Sequence, residues 1–351
     1  MRVILPLLLC AVLTGVGVVV GWVNDGSPLT ATLLLLEPLL LVVGIWTATI
    51  ARWRGASGVS LGISFGLVGA TLAVRLPYPT VPPELSPPEW TDPVHRCAAA
   101  IDMPVDPVRI LQWTLDGAVT RDDVLATVRA AQADVVVLHR VTDPTLFDEV
   151  AEAFGGESRL RGADGGATGI LASGGFHPCG GASEWTDPEA TDTSVQFVGV
   201  PPETIFPLVV TRIHSATGGE PGRLASLQRT LSVLSGVQGA STVVVADAPA
   251  PRSSRDLSLE FGRIGLASVP VPPTWPARMG PVPLLTVHPF TRVWIGPIWR
   301  VVRTQRAVAR VGLHAPVVTE LAGPIDGVAP APAAPRRKLD EPMLEEAPAE
   351  E

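Results

Sequence analysis

Three long apolar stretches within residues 1–75 constrain the fold more than any other feature of this sequence. Val3–Val23 has no charged residue and is about as long as a helix that spans a bilayer. A second stretch, Thr30–Ile50, is interrupted by Glu37 and a proline, and a third, Ser57–Val74, is rich in glycine. Because two apolar stretches follow the first, a cleaved signal peptide is the weaker explanation. We therefore expect three transmembrane helices.

The arginines of this region predict how the spans are oriented. Arg2 precedes the first span, and Arg52 and Arg54 lie between the second and the third, whereas Asn24–Pro28 has no basic residue. Basic loops stay in the cytoplasm, so we expect a multi-pass protein of the cell membrane. Its N-terminus is then cytoplasmic, its C-terminal domain extracytoplasmic, and the lipid bilayer its partner. Glu37, inside the second span, is either a hydrated carboxyl beside a helix break or part of a polar path.

The remainder divides into a linker, one domain and a tail. Residues 76–106 are rich in proline, which makes such a segment extended and semi-rigid. Residues 323–351 hold seven acidic and three basic residues, and we expect this acidic tail to be disordered. Residues 107–322 are long enough for a single sizeable domain. Cys97 and Cys179 would both face outward, where a disulfide can persist, but the sequence leaves their pairing open.

Apolar periodicity within residues 107–322 predicts a mixed α/β domain. Short apolar runs are typical of buried strands, and two amphipathic patterns are typical of helices. The predicted strands are Val108–Leu115, Asp134–His139, Pro207–His214, Ser241–Asp247, two within Arg292–Val308, and His314–Leu321. The predicted helices are Arg121–Ala133 and Gly222–Gly236. Strands outnumber helices and the two kinds mix along the chain, which favours an α/β sandwich with helices outside.

Polar residues stand where several of these strands end. They are Thr114, His139, Arg140, His214 and Asp247, with His314 at the start of the last strand. Polar groups that converge at one edge of a sandwich indicate a site. Any one of these residues could be polar simply because its strand reaches the protein surface there. The prediction of a site therefore depends on the order in which they occur along the chain.

That order resembles the endonuclease/exonuclease/phosphatase superfamily, which are metal-dependent phosphoesterases. The resemblance covers about Val108–Leu321 and is strongest to a bacterial branch in which three N-terminal spans carry the domain outward. Trp113 matches the tryptophan of a family Trp-Asn pair, and Thr274–Pro276 matches a Thr-Trp-Pro motif. The family-matched catalytic residues are His214, Asp247 and His314. The resemblance implies a four-layer α/β sandwich, with two mixed sheets flanked by helices.

Most ligand positions of that family are substituted in this chain. Its Trp-Asn, Gln-Glu, Gly-Asp-Phe-Asn, Ile-Asp-His and Ser-Asp-His motifs carry an acid or amide where this chain has Thr114, Arg140, Pro249, Thr291 and Leu313. Arginine has only donors, so it cannot be a metal ligand, and its charge repels a divalent cation. We therefore expect a metal site that is lost at Thr114, Arg140, Thr291 and Leu313, and no cofactor.

Two functional interpretations follow. The favoured one is a binding or scaffold module for an anionic envelope component or a neighbouring protein, with Arg140 and Thr114 as binding residues. Arg140 is then either merely a soluble strand end or a group that replaces the ion, pairing with Asp247 or gripping an anion. The alternative is an active phosphodiesterase or phosphatase that uses Mg²⁺ or Mn²⁺ in a rearranged site with Asp116 and Asp143. The net charge of −8 argues against a nucleic-acid partner.

Overall fold

The computed structural model describes most of the predicted domain. The described residues are 49, 107–116, 119–162, 166–177, 185–186, 193–200, 204–213, 227, 230, 231, 234, 241–249, 255–279, 282–283, 288–309 and 311–323. Apart from Thr49, the predicted spans and the linker lie outside them, as does the tail beyond Gly323. No helix in this described part is long and apolar enough to cross a membrane. The membrane-spanning segments therefore stay a prediction.

The described part of the domain contains fifteen strands and three helices with defined ends. The strands are β1 Val108–Thr114, β2 Val135–Val141, β3 Glu157–Arg161, β4 Ala167–Ala172, β5 Gly175–Phe176, β6 Trp185–Thr186, β7 Thr193–Val200, β8 Thr204–Arg212, β9 Val243–Asp247, β10 Ala267–Ser268, β11 Arg278–Met279, β12 Val282–Pro283, β13 Thr291–Ile295, β14 Arg300–Arg306 and β15 Val317–Ala322. The helices are α1 Arg121–Ala131, α2 Pro144–Phe154 and α3 Arg255–Arg263. Four further residues before β9 are helical: Leu227, Thr230, Leu231 and Leu234.

The strands form two mixed sheets, as predicted. The first sheet has the order β14-β15-β1-β2-β4-β3. The second has the order β10-β13-β9-β8-β7-β5, with β6 beside β7, and β11 and β12 form a separate pair. The pairs β1–β2 and β8–β9 are parallel, while the others are antiparallel. The two strands of each parallel pair therefore end at the same edge of their sheet, where the last side chains of both strands can lie close together.

Alternation along each strand divides the apolar side chains among three core clusters. The central cluster draws on both sheets and includes Ile110, Val137, Val245 and Val293, so it lies between them. A second cluster joins the outer face of β1 and β2 to α1 and α2. A third joins the outer face of β8 and β9 to α3 and to Leu227 and Leu234. The described elements thus stack as helix, sheet, sheet and helix.

Several predicted boundaries differ from those of the structure by one to three residues, as at Thr204 and Val141, and two of the differences have an identifiable reason. The helix predicted to reach Ala133 ends at Ala131, because Gln132 has a left-handed φ of 48° and closes the helix through Arg129. The strand predicted to begin at His314 begins at Val317. The segment before it follows another course, since Pro316 has no N–H and the amide of Ala315 bonds to a loop carbonyl instead.

A β-bulge near the end of β2 changes the direction of Arg140. The pairing register of β2 and β4 shifts between Leu138 and Val141, so that His139 and Arg140 stand opposite a single residue, Thr168. Arg140 has a φ of 59°, which is rare for a residue other than glycine. Leu138 and Val141 both lie in the outer cluster, so the extra residue removes Arg140 from that helix-covered face. Its long polar side chain is thereby spared burial under the helices.

Gly166 makes room for this bulge. It has a φ of +112°, and a Cβ atom built there would lie 2.8 Å from the Cα of Arg140. That neighbour is backbone, which cannot rotate away as a flexible side chain could. The chain therefore needs glycine at position 166 both for the conformation and for the close approach.

We expect Gly166→Ala to lower the free energy of unfolding by about 2–3 kcal/mol, because it combines an unfavourable φ with a clash against the bulge. The matched control is Gly155→Ala, which has a φ of +78° but no atom within 4 Å of a built Cβ. That control should cost only about 1 kcal/mol. Chemical denaturation monitored by tryptophan fluorescence measures both, and equal costs would contradict this view of the bulge.

Candidate functional site

Five polar side chains lie at one end of the space between the two sheets. They are Gln112 and Thr114 on β1, His139 on β2, Asp247 on β9 and Thr291 on β13. Four of the five are two residues away from a member of the central cluster, and Thr114 is two residues beyond Gln112. Strand alternation therefore places all five on the same inner face. Thr114 pairs with His139, and Asp247 pairs with Thr291. We refer to this end, with Arg140, as the mouth.

Arg140 and Asp247 form an ion pair that joins the two sheets at the mouth. Arg140 donates from Nε to Oδ2 of Asp247 at 2.9 Å. Thr114 donates from Oγ1 to the other carboxylate oxygen, Oδ1, at 3.2 Å. The Asp247 side chain is fully buried, whereas that of Arg140 is 32% exposed. The guanidinium therefore lies against Asp247, which is one of the two arrangements considered from the sequence, and the first sheet holds both oxygens of the carboxylate.

The charges around Asp247 keep its carboxylate ionised. Burial alone would raise the pKa of Asp247, but the positive charge of Arg140 and its hydrogen bond act against burial, and the pKa lies below its ordinary value. A buried carboxylate without such a partner would take up a proton instead. Arg140 is thus the group that allows a charged oxygen acceptor to persist in the core.

His139 is a neutral, fully buried imidazole. Burial lowers its pKa to about 4, and the charges of Arg140 and Arg212 act in the same direction. Gln112 fixes the tautomer, because its Nε2 donates to the carbonyl oxygen of Ala246 at 2.8 Å and contacts His139 Nε2 at 3.1 Å. The His139 Nε2 atom is then an acceptor, and the proton lies on Nδ1.

His314 approaches the mouth from the segment before β15. Its carbonyl oxygen accepts a hydrogen bond of 2.9 Å from Trp113 Nε1. The carboxylate of Asp116 accepts a hydrogen bond from the neighbouring amide of Leu313. Burial lowers the pKa of His314, while Asp247 and Asp116 partly oppose the change. His139 and His314 are therefore both neutral at pH 7.

Four buried polar atoms of the mouth have no hydrogen-bond partner in the described part of the domain. They are Gln112 Oε1, His139 Nδ1, Thr291 Oγ1 and His314 Nδ1. Buried polar atoms are nearly always satisfied, and groups of unsatisfied ones mark places where a protein meets water or a ligand. Their concentration around Asp247 indicates a site rather than a sealed core.

The sequence reasoning missed two residues of this site. Gln112 bridges the sheets from within a strand, and nothing in the apolar run around it indicates this. Arg212 is the register partner of Asp247 in the parallel pair β8–β9, on the same inner face as Val210. A signal for Arg212 existed, because a charged residue two positions after buried Val210 breaks an otherwise apolar inner face. Its charge reaches His139, whose pKa it lowers.

The remaining predicted residues divide into those in the mouth and those elsewhere. Thr291 is buried beside Asp247, whereas Leu313 is 42% exposed and Pro249 is half-buried. His214 lies outside the described residues. Asp143 caps α2 by accepting from the Thr145 amide at 3.0 Å, so it serves the helix.

The side chains present do not fit a divalent cation of the kind the family resemblance implies. A magnesium ion needs oxygen ligands, and Asp247 already gives its two oxygens to Arg140 and Thr114. Within the described residues, no group of three or more His, Cys, Asp or Glu side chains is placed to hold a metal ion.

The comparisons with known proteins give a likeness of fold. No family model matches the sequence, and no curated protein matches it. An endonuclease/exonuclease/phosphatase from Beutenbergia cavernae is 20% identical, with 62% of this chain and 72% of that chain covered and a TM-score of 0.45. A mannosyl-6-phosphatase from Bacteroides thetaiotaomicron is 12% identical, with 61% and 99% covered and a TM-score of 0.47.

A third structure, TDP2 of D. rerio with a single-strand DNA product, is 15% identical, with 61% of this chain and 98% of that chain covered and a TM-score of 0.46. The family that the sequence motifs resemble is thus among those with similar solved structures. Identities of this size concern the fold alone.

The ion pair predicts unequal costs for its two partners. Arg140→Met leaves the buried carboxylate of Asp247 unpaired and should lower the free energy of unfolding by about 3–5 kcal/mol. Asp247→Asn should cost less, because Arg140 is partly exposed and can turn towards water. The double variant should be more stable than Arg140→Met alone. Denaturation of all three gives the coupling free energy, and additive costs would show that the two side chains do not interact.

His139 predicts a loss of stability in mild acid. Since its pKa is about 4 in the folded chain and 6.5 ordinarily, the unfolded chain binds a proton between these values and the folded chain does not. Stability is therefore complete above pH 6.5 and falls towards pH 4, by at most about 1.4 kcal/mol per pH unit from this group.

His139→Gln keeps an acceptor for Gln112 and should flatten the dependence of unfolding free energy on pH. His314, whose pKa is also lowered, contributes a remaining slope of the same sign. Denaturation at stepped pH measures the slopes, with His177→Gln as a control outside the mouth. If wild type and His139→Gln had the same slope, His139 would not be a neutral buried group.

Proposed function

We propose that this chain carries an endonuclease/exonuclease/phosphatase-type domain that binds a ligand at the mouth and has lost metal-dependent phosphoester hydrolysis. The proposal depends on one observation: Arg140 Nε lies 2.9 Å from Asp247 Oδ2, where a carboxylate and a cation would face each other in a metal-dependent member. The guanidinium supplies the positive charge that Asp247 requires in the core. A cation could enter only if Arg140 left, at the cost of a buried ion pair.

The rearranged metal site is the second candidate function, and the local contacts favour it less. Asp116 and Asp143 would have to join Asp247 as ligands. Instead, Asp116 accepts from the Leu313 amide and Asp143 caps α2. Each carboxylate therefore has a structural partner, and the two would need to give these up to reach a common ion. A binding or scaffold role requires no such rearrangement.

We further propose that the domain is tethered to the cell membrane and faces outward. Three apolar stretches in residues 1–75, with Arg52 and Arg54 between the last two, support this topology. Protease added to intact cells should digest the domain, and full protection would contradict the orientation.

A metal titration separates the two candidate functions. Calorimetric titration of the full chain in detergent micelles should show no saturable Mg²⁺ or Mn²⁺ binding, because Arg140 occupies the cation's place. The variant Arg140→Glu with Thr114→Asn restores two oxygen acceptors and should gain measurable Mn²⁺ binding.

The matched control is Arg121→Glu, which makes the same charge change on the exposed start of α1. It should gain nothing. If the wild-type chain bound Mg²⁺ tightly, hydrolysed a phosphodiester with it, and lost both properties in Asp247→Ala, the proposed function would be wrong and the rearranged site right.

A further inference from the structure

We propose that the edge strand β14 and the loop after it form a docking surface for an acidic segment of this chain's own tail, residues 339–351. The surface, called the basic edge below, consists of the exposed side chains of Arg300, Val302, Arg303, Val308 and Leu313. It lies along the side of the first sheet, and the inference does not depend on what the mouth binds. It assigns a partner to a part of the fold that the proposed function does not use.

The stretch of chain that contains β14 is cationic along its whole length. Residues 261–319 contain seven arginines and no aspartate, glutamate or lysine, although the whole chain has a net charge of −8. Strand β14 is the edge strand of its sheet and carries three of these arginines. A positive strip on an acidic protein attracts an anionic partner.

The carboxylates beside β14 do not neutralise it. Glu320 is shared by Arg303 and Arg109, with N–O distances of 3.2 and 3.1 Å. Asp134 accepts a hydrogen bond of 2.8 Å from the backbone amide of Arg109. With both carboxylates counted, and with exposed Arg300 included, three arginines still stand against two acids. The local charge among the described side chains is therefore positive.

Apolar side chains are exposed on the same stretch. Within the described part of the domain, the exposed large hydrophobic residues are Val302, Val308 and Leu313, at 47%, 83% and 42%. All three lie on β14 or on the loop that follows it, among the arginines. Exposed apolar groups that gather in one place and are rimmed by charge are typical of a surface that another segment covers.

The tail has the matching chemistry and begins at the right place. Residues 339–351 read LDEPMLEEAPAEE, with six acids, no basic residue and three large apolar ones. Strand β15 ends at Ala322, the register partner of Arg300, so the tail leaves the domain beside β14. Residues 323–338 reach about 50 Å when extended, whereas β14 is about 23 Å long. The acidic segment can therefore reach the whole basic edge.

The basic edge is poorly suited to other occupants. The register of β14 and β15 shifts between Val301 and Arg303, and such a bulge, like charges on an edge strand, opposes pairing with a strand of a second copy. Two copies would also bring their arginines together. An anionic lipid surface would be repelled by the carboxylates of the tail, which is attached beside β14.

Competition between a peptide and the chain's own tail tests the inference. The probe is a fluorescein-labelled peptide of residues 339–351, and its anisotropy is followed as the full chain is added in neutral detergent micelles. One chain is wild type, and the other has a neutralised tail with Asp340→Asn, Glu341→Gln, Glu345→Gln, Glu346→Gln, Glu350→Gln and Glu351→Gln. We expect saturable binding to the neutralised chain. Binding to the wild-type chain should be at least about tenfold weaker, because its tethered tail competes at about millimolar effective concentration.

Variants of the neutralised chain assign the surface. Arg300→Gln with Arg303→Gln should weaken peptide binding at least about fivefold, because two charge pairs are lost while Glu320 keeps Arg109. Val308→Ser should weaken binding about threefold through lost apolar contact. The matched control removes two exposed arginines of α1, Arg121→Gln with Arg129→Gln, and it should change nothing.

The contrary outcomes are distinct. Absence of binding to the neutralised chain, or unchanged binding in the β14 and Val308 variants, overturns the docking surface. Equal binding to the wild-type and neutralised chains overturns the tail as its occupant. A wild-type dimer that becomes monomeric in the neutralised chain, measured by sedimentation equilibrium, overturns the contact within one chain in favour of a second copy. Displacement of the peptide by phosphatidylglycerol added to the micelles overturns the tail in favour of the membrane.

Discussion

The ion pair between Arg140 and Asp247 is the interaction on which the organisation of the mouth depends. It joins the inner faces of the two sheets, with 2.9 Å between Arg140 Nε and Asp247 Oδ2, and the carboxylate is wholly buried. A charge in such surroundings is stable only with a close partner of opposite sign. The bulge in β2 supplies that partner, because it turns Arg140 away from the helix-covered face, and Gly166 provides the space for it. Neutral His139 and Gln112 then complete a polar layer above the apolar core.

Much of the fold was predictable because its central strands are apolar runs. Val135–Leu138 and Val243–Ala246 are buried on both faces, so their sequences admit few other structures. The strands β3, β4 and β7 were missed, because they contain charged, glycine or polar residues that interrupt the apolar pattern of a strand. Helix α2 was missed although Asp143 before a proline is an ordinary helix start and Gly155 an ordinary end.

The candidate site was predictable only in part. Three of the strand ends singled out in the sequence do meet in the structure, since Thr114 and Arg140 both donate hydrogen bonds to Asp247 across the two sheets. The bulge could not be predicted, because it depends on the register between β2 and β4 rather than on either sequence alone. Gln112 was missed because its partner, the carbonyl oxygen of Ala246, lies on the opposite sheet. Arg212 was missed although its charge, two positions after buried Val210, was a usable signal. A sequence pattern thus predicts on which face of a strand a side chain lies more readily than it predicts which group that side chain contacts.

The central claim is that a guanidinium has taken the place of a metal ion at Asp247. A crystal of the protein grown with excess Mn²⁺ tests it directly, through an anomalous difference map recorded near the manganese absorption edge. The account predicts no anomalous peak at the mouth and a guanidinium within hydrogen-bond distance of the Asp247 carboxylate. An anomalous peak on the Asp247 oxygens, with Arg140 turned away into solvent, would contradict it.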